Sequence, residues 1–304
     1  PDARVRLRAQ IALTRKDDAL KRFTDATVSS DLMVRVHGIW GLGILARRGS
    51  SPLAVSDFAP VPSAERRRDA EKKLWELIKD PNEEIRVQAL RALCDATKNS
   101  GPPPPLSAQL NDKSPRVRYF AAILVGKRKL VGYYGPICDM IAANNNRDPM
   151  LRHAGAFALE KMAPDSNILL ALKTHASPAV RLAAVVALRR MKHPDLSGFI
   201  RDADPKVADE AIRAICDLDL TSQRGLVATL LDAPESRKWS PLMMLRLLHN
   251  SFRIGDEENA SRLIRFATTP ANPEALRKEA FRLILQWPKP FPVNQFTGHW
   301  APLP

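Results

Sequence analysis

The sequence predicts an all-α fold, a right-handed α-solenoid of helical-hairpin repeats. Three observations predict it. A short pattern, an arginine with a small residue three places on and an apolar residue seven places on, recurs along the 304 residues. Many of these arginines follow a capping residue and a proline. Amphipathic segments fill the intervals between them. Self-similarity at a period near 30 residues marks a repeat architecture, and an apolar content of 45% with only 6% aromatics suits many small helix contacts rather than one large core.

The pattern is carried by Arg6/Ala9/Leu13, Arg35/Gly38/Leu42, Arg86/Ala89/Leu93, Arg118/Ala121/Val125, Arg152/Gly155/Leu159, Arg181/Ala184/Leu188 and Arg277/Ala280/Ile284. Ala208/Ala211/Ile215 keeps the packing positions without the arginine. Successive anchors are 29, 51, 32, 34, 29 and 27 residues apart, and Arg277 follows Ala208 by 69. The 51-residue step contains a Pro/Ser-rich insertion at 49–62, and the 69-residue step spans a diverged unit at 241–252. The chain opens on half of a repeat, as a piece of a longer protein would.

Each element has a local cause. Ser114-Pro115, Asp148-Pro149, Ser177-Pro178 and Asp204-Pro205 put a side-chain acceptor at the N-cap and proline at the first helical position, where its missing N–H is harmless. Offsets of three, four and seven lie on one stripe of a helix, and a small residue in that stripe lets a neighbouring helix approach. Gly38, Gly41 and Gly43 are read in this way, and Trp40 is placed in the core. Second helices are predicted at 18–27, 64–79, 130–143, 166–175, 222–231 and 257–267. The solenoid covers 1–286 in about nine units, and 287–304 is a Pro/Trp-containing tail or linker that folds back over the last repeat or docks a following domain through Trp287 and Trp300.

The run Asp80-Pro81-Asn82-Glu83-Glu84-Ile85-Arg86-Val87-Gln88-Ala89-Leu90-Arg91-Ala92-Leu93 resembles the signature of HEAT repeats. The resemblance implies that signature acids and arginines form a structural ladder between units. Asp80, Asp112, Arg6, Arg35, Arg86, Arg118, Arg152, Arg181 and Arg277 occupy those places. Two further segments, Val34-Arg35-Val36-His37-Gly38-Ile39-Trp40-Gly41-Leu42 and Leu285-Gln286-Trp287-Pro288-Lys289-Pro290 with Gly298-His299-Trp300-Ala301-Pro302-Leu303, resemble HEAT segments of large Planctomycetes-type proteins known as membrane-bound dehydrogenase-domain or haem-binding CxxCH proteins. That resemblance implies a spacer or docking role between a propeller-type dehydrogenase domain and a c-type cytochrome domain, in a periplasmic or otherwise exported protein. Haem c would belong to the parent protein, because Cys94, Cys138 and Cys216 lack the CxxCH context.

No catalytic motif is expected in this segment. The three cysteines are far apart and unsuited to a disulfide framework or a paired zinc site; Cys94 and Cys216 each fall eight residues after an anchor, as equivalent core positions. His37, His153, His175, His193, His249 and His299 are scattered singly, and His37 and His153 are read as packing beside the ladder. The apolar run 182–188 ends at Arg189, far short of the roughly 18 residues that cross a bilayer.

A net charge of +14 invites nucleic acid or another polyanion as partner. Taken in fifties the charge runs +5, 0, +4, +4 and −1, with +2 over the last 54 residues, so the excess is spread out. Arg4/Arg6/Arg8, Arg66-Arg67-Arg68 and Lys127-Arg128-Lys129 are the densest clusters, and scarce aromatics argue against base stacking. The reading that results is a non-catalytic scaffold whose concave face meets a protein partner or an adjacent domain of the same chain. Nucleic-acid binding is the alternative.

Overall fold

A computed structural model of the chain describes residues 2–47, 62–96, 105–218, 220–234 and 238–303; all of the predicted insertion except Pro62 lies outside them. The chain divides into two compact units, Pro1–Pro164 and Asp165–Pro304. The first holds α1 (Ala3–Thr14), α2 (Ala19–Ala26), α3 (Leu32–Ala46), α4 (Ala64–Leu77), α5 (Glu83–Asp95), α6 (Ser107–Leu110), α7 (Pro115–Arg128), α8 (Tyr134–Asn144) and α9 (Pro149–Met162). The second holds α10 (Asn167–Ala171), α11 (Pro178–Arg190), α12 (Pro205–Asp217), α13 (Thr221–Ala228), α14 (Pro241–Ile254), α15 (Glu257–Thr268) and α16 (Glu274–Leu285). Short 3-10 turns lie at Val131–Tyr133, Leu172–Thr174, Ser197–Phe199 and Thr229–Leu231. Among the described residues the single β-type pairing is an isolated bridge between Val293 and Trp300.

Both units are all-α stacks of helical hairpins, the predicted fold class. In the first, α2, α4, α6 and α8 pack against the anchored helices α3, α5, α7 and α9, which also touch one another in sequence. In the second, α10, α13 and α15 pair with α11, α14 and α16, and α11, α12, α14 and α16 touch in the same way. Two of the second helices escape sequence reading because they have shrunk to about one turn. Four-residue α6 and the turn at Ser197–Phe199 take that role, anchored by buried Leu106, Leu110 and Phe199.

Helix starts follow the caps. Asp148 Oδ1 accepts from Met150 N at 2.8 Å, Asp204 Oδ1 from Lys206 N at 2.8 Å and Ser114 Oγ from Val117 N at 3.4 Å. Ser177 is an exception: its side chain makes no cap bond, and its own N–H donates to His175 Nδ1 at 3.0 Å.

The +3 slot works as close approach demands. A Cβ on Gly38 would lie 2.8 Å from Phe23 O and 3.0 Å from Ala26 Cβ, both in α2. The +4 position faces the next anchored helix, and Ile39, Leu90, Ala122, Val185 and Ile212 are all fully buried there. At +8, a Cβ on Gly126 would come within 2.9 Å of Phe157 and 3.0 Å of Ala158 in α9. On α16 the same two places hold Phe281 and Leu285, which are 45% and 81% exposed.

Two placements depart from the sequence reading. Ala9 is exposed, since α1 has no helix lying over its small-residue slot among the described residues. Trp40 is not core: it is 38% exposed, five residues past its anchor, on a side of α3 that no helix among the described residues covers.

Candidate interaction surface

The predicted ladder residues are placed by the anchored helices. Arg86 Nε and Nη2 donate to the two carboxylate oxygens of Asp112 at 2.9 and 3.0 Å, while Nη1 donates to Asp80 O and Pro81 O at 2.9 and 3.0 Å. Arg35 reaches Asp80 at 2.5 Å and Thr27 O at 2.8 Å. Arg181 repeats the geometry with Asp202, at 2.7 and 2.9 Å, and with His175 O at 2.8 Å. In all three an anchor arginine binds the acid six residues before the next anchor; Arg86 and Arg181 also bind the carbonyl six before themselves, and Arg35 the carbonyl eight before. Asp202 is the acid that sequence reading missed; it precedes Ala208, the anchor without an arginine, by six.

Where the acid is replaced the ladder weakens. Asn146 stands six before Arg152, and Arg118 is held by the carbonyls of Asp112 and Lys113 at 2.6 and 3.2 Å. Arg277 donates to Ala267 O at 2.9 Å. Arg6 and Arg152 are half-buried. For Asp112, burial alone would push the carboxyl up, but the hydrogen bonds from Arg86 and Ser114 N–H and the Arg86 charge outweigh it and hold it below the ordinary carboxylate range.

The ladder leaves one stripe of each anchored helix outside the stack. Offsets +2, +5 and +9 from the anchor fall together, roughly 140° to 200° around the helix from the buried stripe at 3.6 residues per turn. In the first unit the large residues of this lateral stripe are Trp40 on α3, Gln88 and Arg91 on α5, Phe120 and Ile123 on α7 and Phe157 on α9, so it is aromatic or aliphatic on α3, α7 and α9 and polar on α5, while the +2 place of α9 is the fully buried Ala154. Neighbouring members meet, for Trp40 Nε1 donates to Gln88 Oε1 at 2.8 Å. Phe120, Ile123 and Phe157 are half-buried, and none is sealed by a covering helix. His37 shares the stripe, with Nδ1 3.1 Å from Gln10 Oε1 and its ring edge-on to Trp40. Burial and then the Arg6 charge push its imidazole pKa down. His153 is exposed beside Arg152, a surface position and not a packing one.

In the second unit α11 carries Ala183 and Val186 at +2 and +5, and the same offsets on α12, α14 and α16 carry charged and titratable side chains. Glu210 and Arg213 lie on α12, Arg246 and His249 on α14, where Met244 fills the anchor place, and Glu279 and Arg282 on α16. Arg189 binds Glu210 at 2.8 Å and Asp217 at 3.3 Å, Arg246 binds Asp217, and Arg213 binds Glu210. His249 Nε2 lies 2.7 Å from Glu279 Oε1, and Arg282 grips the same carboxylate at 2.5 and 2.7 Å. Desolvation lowers the His249 pKa against the opposing pull of Glu279. The Arg282 hydrogen bond, opposed by burial and helped by His249, holds the Glu279 carboxyl low.

The tail crosses this charged stripe. Trp287 is half-buried and edge-on to Phe252, with ring centroids 5.6 Å apart; Trp300 is 72% exposed. Phe296 lies under the Arg246 guanidinium at 4.5 Å and edge-on to His249 at 5.2 Å. None of Arg246, His249, Glu279, Arg282 and Phe296 was singled out from sequence as part of a site. Registering α14 on Pro241 would have found the helical four by their +2 and +5 offsets.

Several members of the basic clusters are drawn into internal contacts. Arg128 forms a buried ion pair with Glu71 at 2.7 Å, Lys127 binds Cys94 O at 3.0 Å and Asp95 at 3.3 Å, and Arg66 and Arg67 donate to Asp17 O and Pro62 O. Arg4 pairs with Asp2. Cys216 is buried and Cys94 half-buried, and both touch the next anchored helix: Cys94 Sγ lies 3.6 Å from Phe120 O, and Cys216 Sγ 3.7 Å from Asn250 Oδ1. Among the described residues no group of three or more His, Cys, Asp or Glu is placed to hold a metal ion, and no helix is long and apolar enough to cross a membrane.

No protein-family model matches the chain, and no curated protein matches it. A solved structure to which it is similar is the X-ray structure of YibA from E. coli, at 17% identity and a TM-score of 0.39, covering 94% of this chain and 98% of that one.

Proposed function

We propose that this chain is a non-catalytic helical-repeat scaffold that holds a protein partner along the lateral stripe of its anchored helices. In the parent protein the partner is an adjacent domain, and the segment serves as the spacer between a propeller-type dehydrogenase domain and a c-type cytochrome domain of an exported protein. Haem, where present, sits on residues outside this chain.

The observation that carries the scaffold reading is the lateral stripe of the first unit. Stacking consumes offsets +3, +4, +7 and +8, and of the +2 and +5 places it uses Phe157, which lies against Gly126; Trp40, Phe120 and Ile123 stand at +2 and +5 half-open, as does the outer part of Phe157. Aromatic and aliphatic side chains in such positions become favourable when a partner removes them from water.

The test is a Trp40→Ser/Phe157→Ser double variant, titrated against the flanking domains of the parent protein by calorimetry. Loss of two buried aromatic contacts weakens binding by roughly 2–4 kcal/mol; unchanged affinity refutes the reading. Propeller blades encoded upstream and a CxxCH motif downstream support the parent assignment, and their absence removes it. Retention on heparin at about 0.15 M salt would instead favour a polyanion partner.

A further inference from the structure

The lateral stripe of α14 and α16 already has an occupant, and it is a piece of the same chain. After α16 the chain turns back as an extended hairpin. Asn294 Oδ1 accepts from Phe296 N and Thr297 N at 3.0 and 3.2 Å, Asn294 N donates to His299 O at 2.9 Å, and Gly298 takes a left-handed φ of +70°. Val293 and Trp300 close the hairpin as a bridge. Its contacts go to the lateral side chains. Arg246 and His249 clamp the Phe296 ring, Arg253 Nη2 donates to Ala301 O at 2.7 Å, and Arg282 Nη2 donates to Gln295 Oε1 at 3.0 Å.

We propose that the 291–301 segment is a displaceable in-cis occupant of this groove, and that the groove accepts in trans an extended partner peptide with an aromatic side chain in the place of Phe296. This deepens the reading of the lateral stripe as a partner surface and rests on it. One aromatic anchor between a guanidinium and an imidazole, with a backbone carbonyl bound by an arginine, is a recognition pattern that asks little of the remaining sequence.

The segment is lightly seated. Trp300 is 72% exposed and faces water, whereas Phe291 and Val293, at 37% and 39%, are more than half covered. Two small clefts of about 10 Å³, each with room for about one water molecule, lie between the hairpin and the helices; one is lined by Asp217, Arg246, Asn250 and Phe296, the other by Phe252, Leu283 and Phe291. An occupant held by one half-buried ring and two arginine hydrogen bonds, with its largest apolar side chain left in water, gains little from burial and is open to competition.

The experiment uses the full chain and a fluorescein-labelled synthetic peptide of residues 290–302, followed by anisotropy. Phe296→Ala removes the anchor, and Gly298→Val strains the turn without touching the groove. Both variants are expected to bind the peptide at least about tenfold more tightly than the parent chain, where only the tail-open fraction is competent. Adding Arg246→Met to Phe296→Ala should abolish that gain. Equal binding by parent and variants, or no binding by folded variants, overturns the proposal. So does loss of the folded second unit in both variants, since the segment is then a structural cap. Trp40→Ser/Phe157→Ser reads out the other unit, so either idea can fail without the other.

Discussion

Replacing Arg86 by alanine isolates the ladder. The side chain makes two charge-assisted bonds to Asp112 and two to the carbonyls of Asp80 and Pro81. Both partners of the ion pair are little exposed, at 10% and 13% of their side chains, so water screens them weakly. Taking about 1 kcal/mol for each carboxylate bond and about 0.5 for each carbonyl bond, the loss is about 3 kcal/mol. Asp112 keeps its bond from Ser114 N at 2.8 Å, which prevents a larger penalty. Arg118→Ala removes two carbonyl bonds alone and should cost about 1 kcal/mol.

The assay is thermal and urea unfolding of Arg86→Ala, Asp112→Ala, the double variant and Arg118→Ala. Each kcal/mol should lower Tm by roughly 2–4 °C for a unit of this size. Local hydrogen exchange is read alongside, because stacked repeats need not unfold in one step. The Arg86/Asp112 cycle should return a coupling near 2 kcal/mol. A coupling below about 0.5 kcal/mol, or an Arg118→Ala penalty equal to that of Arg86→Ala, would show that the acid six residues before the next anchor does not tie the repeats together.

Three other outcomes follow from the same geometry. Gly38→Ala should destabilise by about 1–3 kcal/mol in spite of alanine's better helix propensity, because its Cβ meets the Phe23 carbonyl; a stabilised variant in thermal melts would contradict the close approach. Asp112 is depressed in the folded chain, so its contribution to stability is present above the ordinary carboxylate range and lost as pH falls through the lower folded value. Asp112→Asn should therefore flatten part of the acid limb between roughly pH 5 and 2, and superimposable acid-unfolding profiles would rule this out. Burial pushes the Cys94 thiol up to about 12 and the Cys138 thiol up to about 11. Both should react with Ellman's reagent at pH 8 at least about a hundredfold more slowly than a free cysteine, and a rapid burst of either would contradict their packing.

Much of the fold was legible because its signals are local. A cap and proline before Arg118, Arg152 and Arg181 start a helix wherever they occur. Offsets of +3, +4 and +7 must be apolar or small whenever one helix leans on another. Those rules located every anchored helix and most of their partners. They failed at α6 and at Ser197–Phe199, where one buried turn does the work of a helix and leaves no periodicity to read.

What the sequence determined alone was therefore the all-α class, most of the hairpin register and part of the arginine–aspartate ladder, Arg35 with Asp80 and Arg86 with Asp112 but not Asp202. Tertiary structure decided what lies over each helix: that Asp80 accepts from Arg35 across 45 positions, that Trp40 stays at the surface, and that Phe296 returns to Arg246 and His249. The division has a physical reason. Residues facing into the stack are constrained by the helix period, whereas lateral residues carry no period of their own, and their burial depends on whichever distant segment the folded chain brings across them.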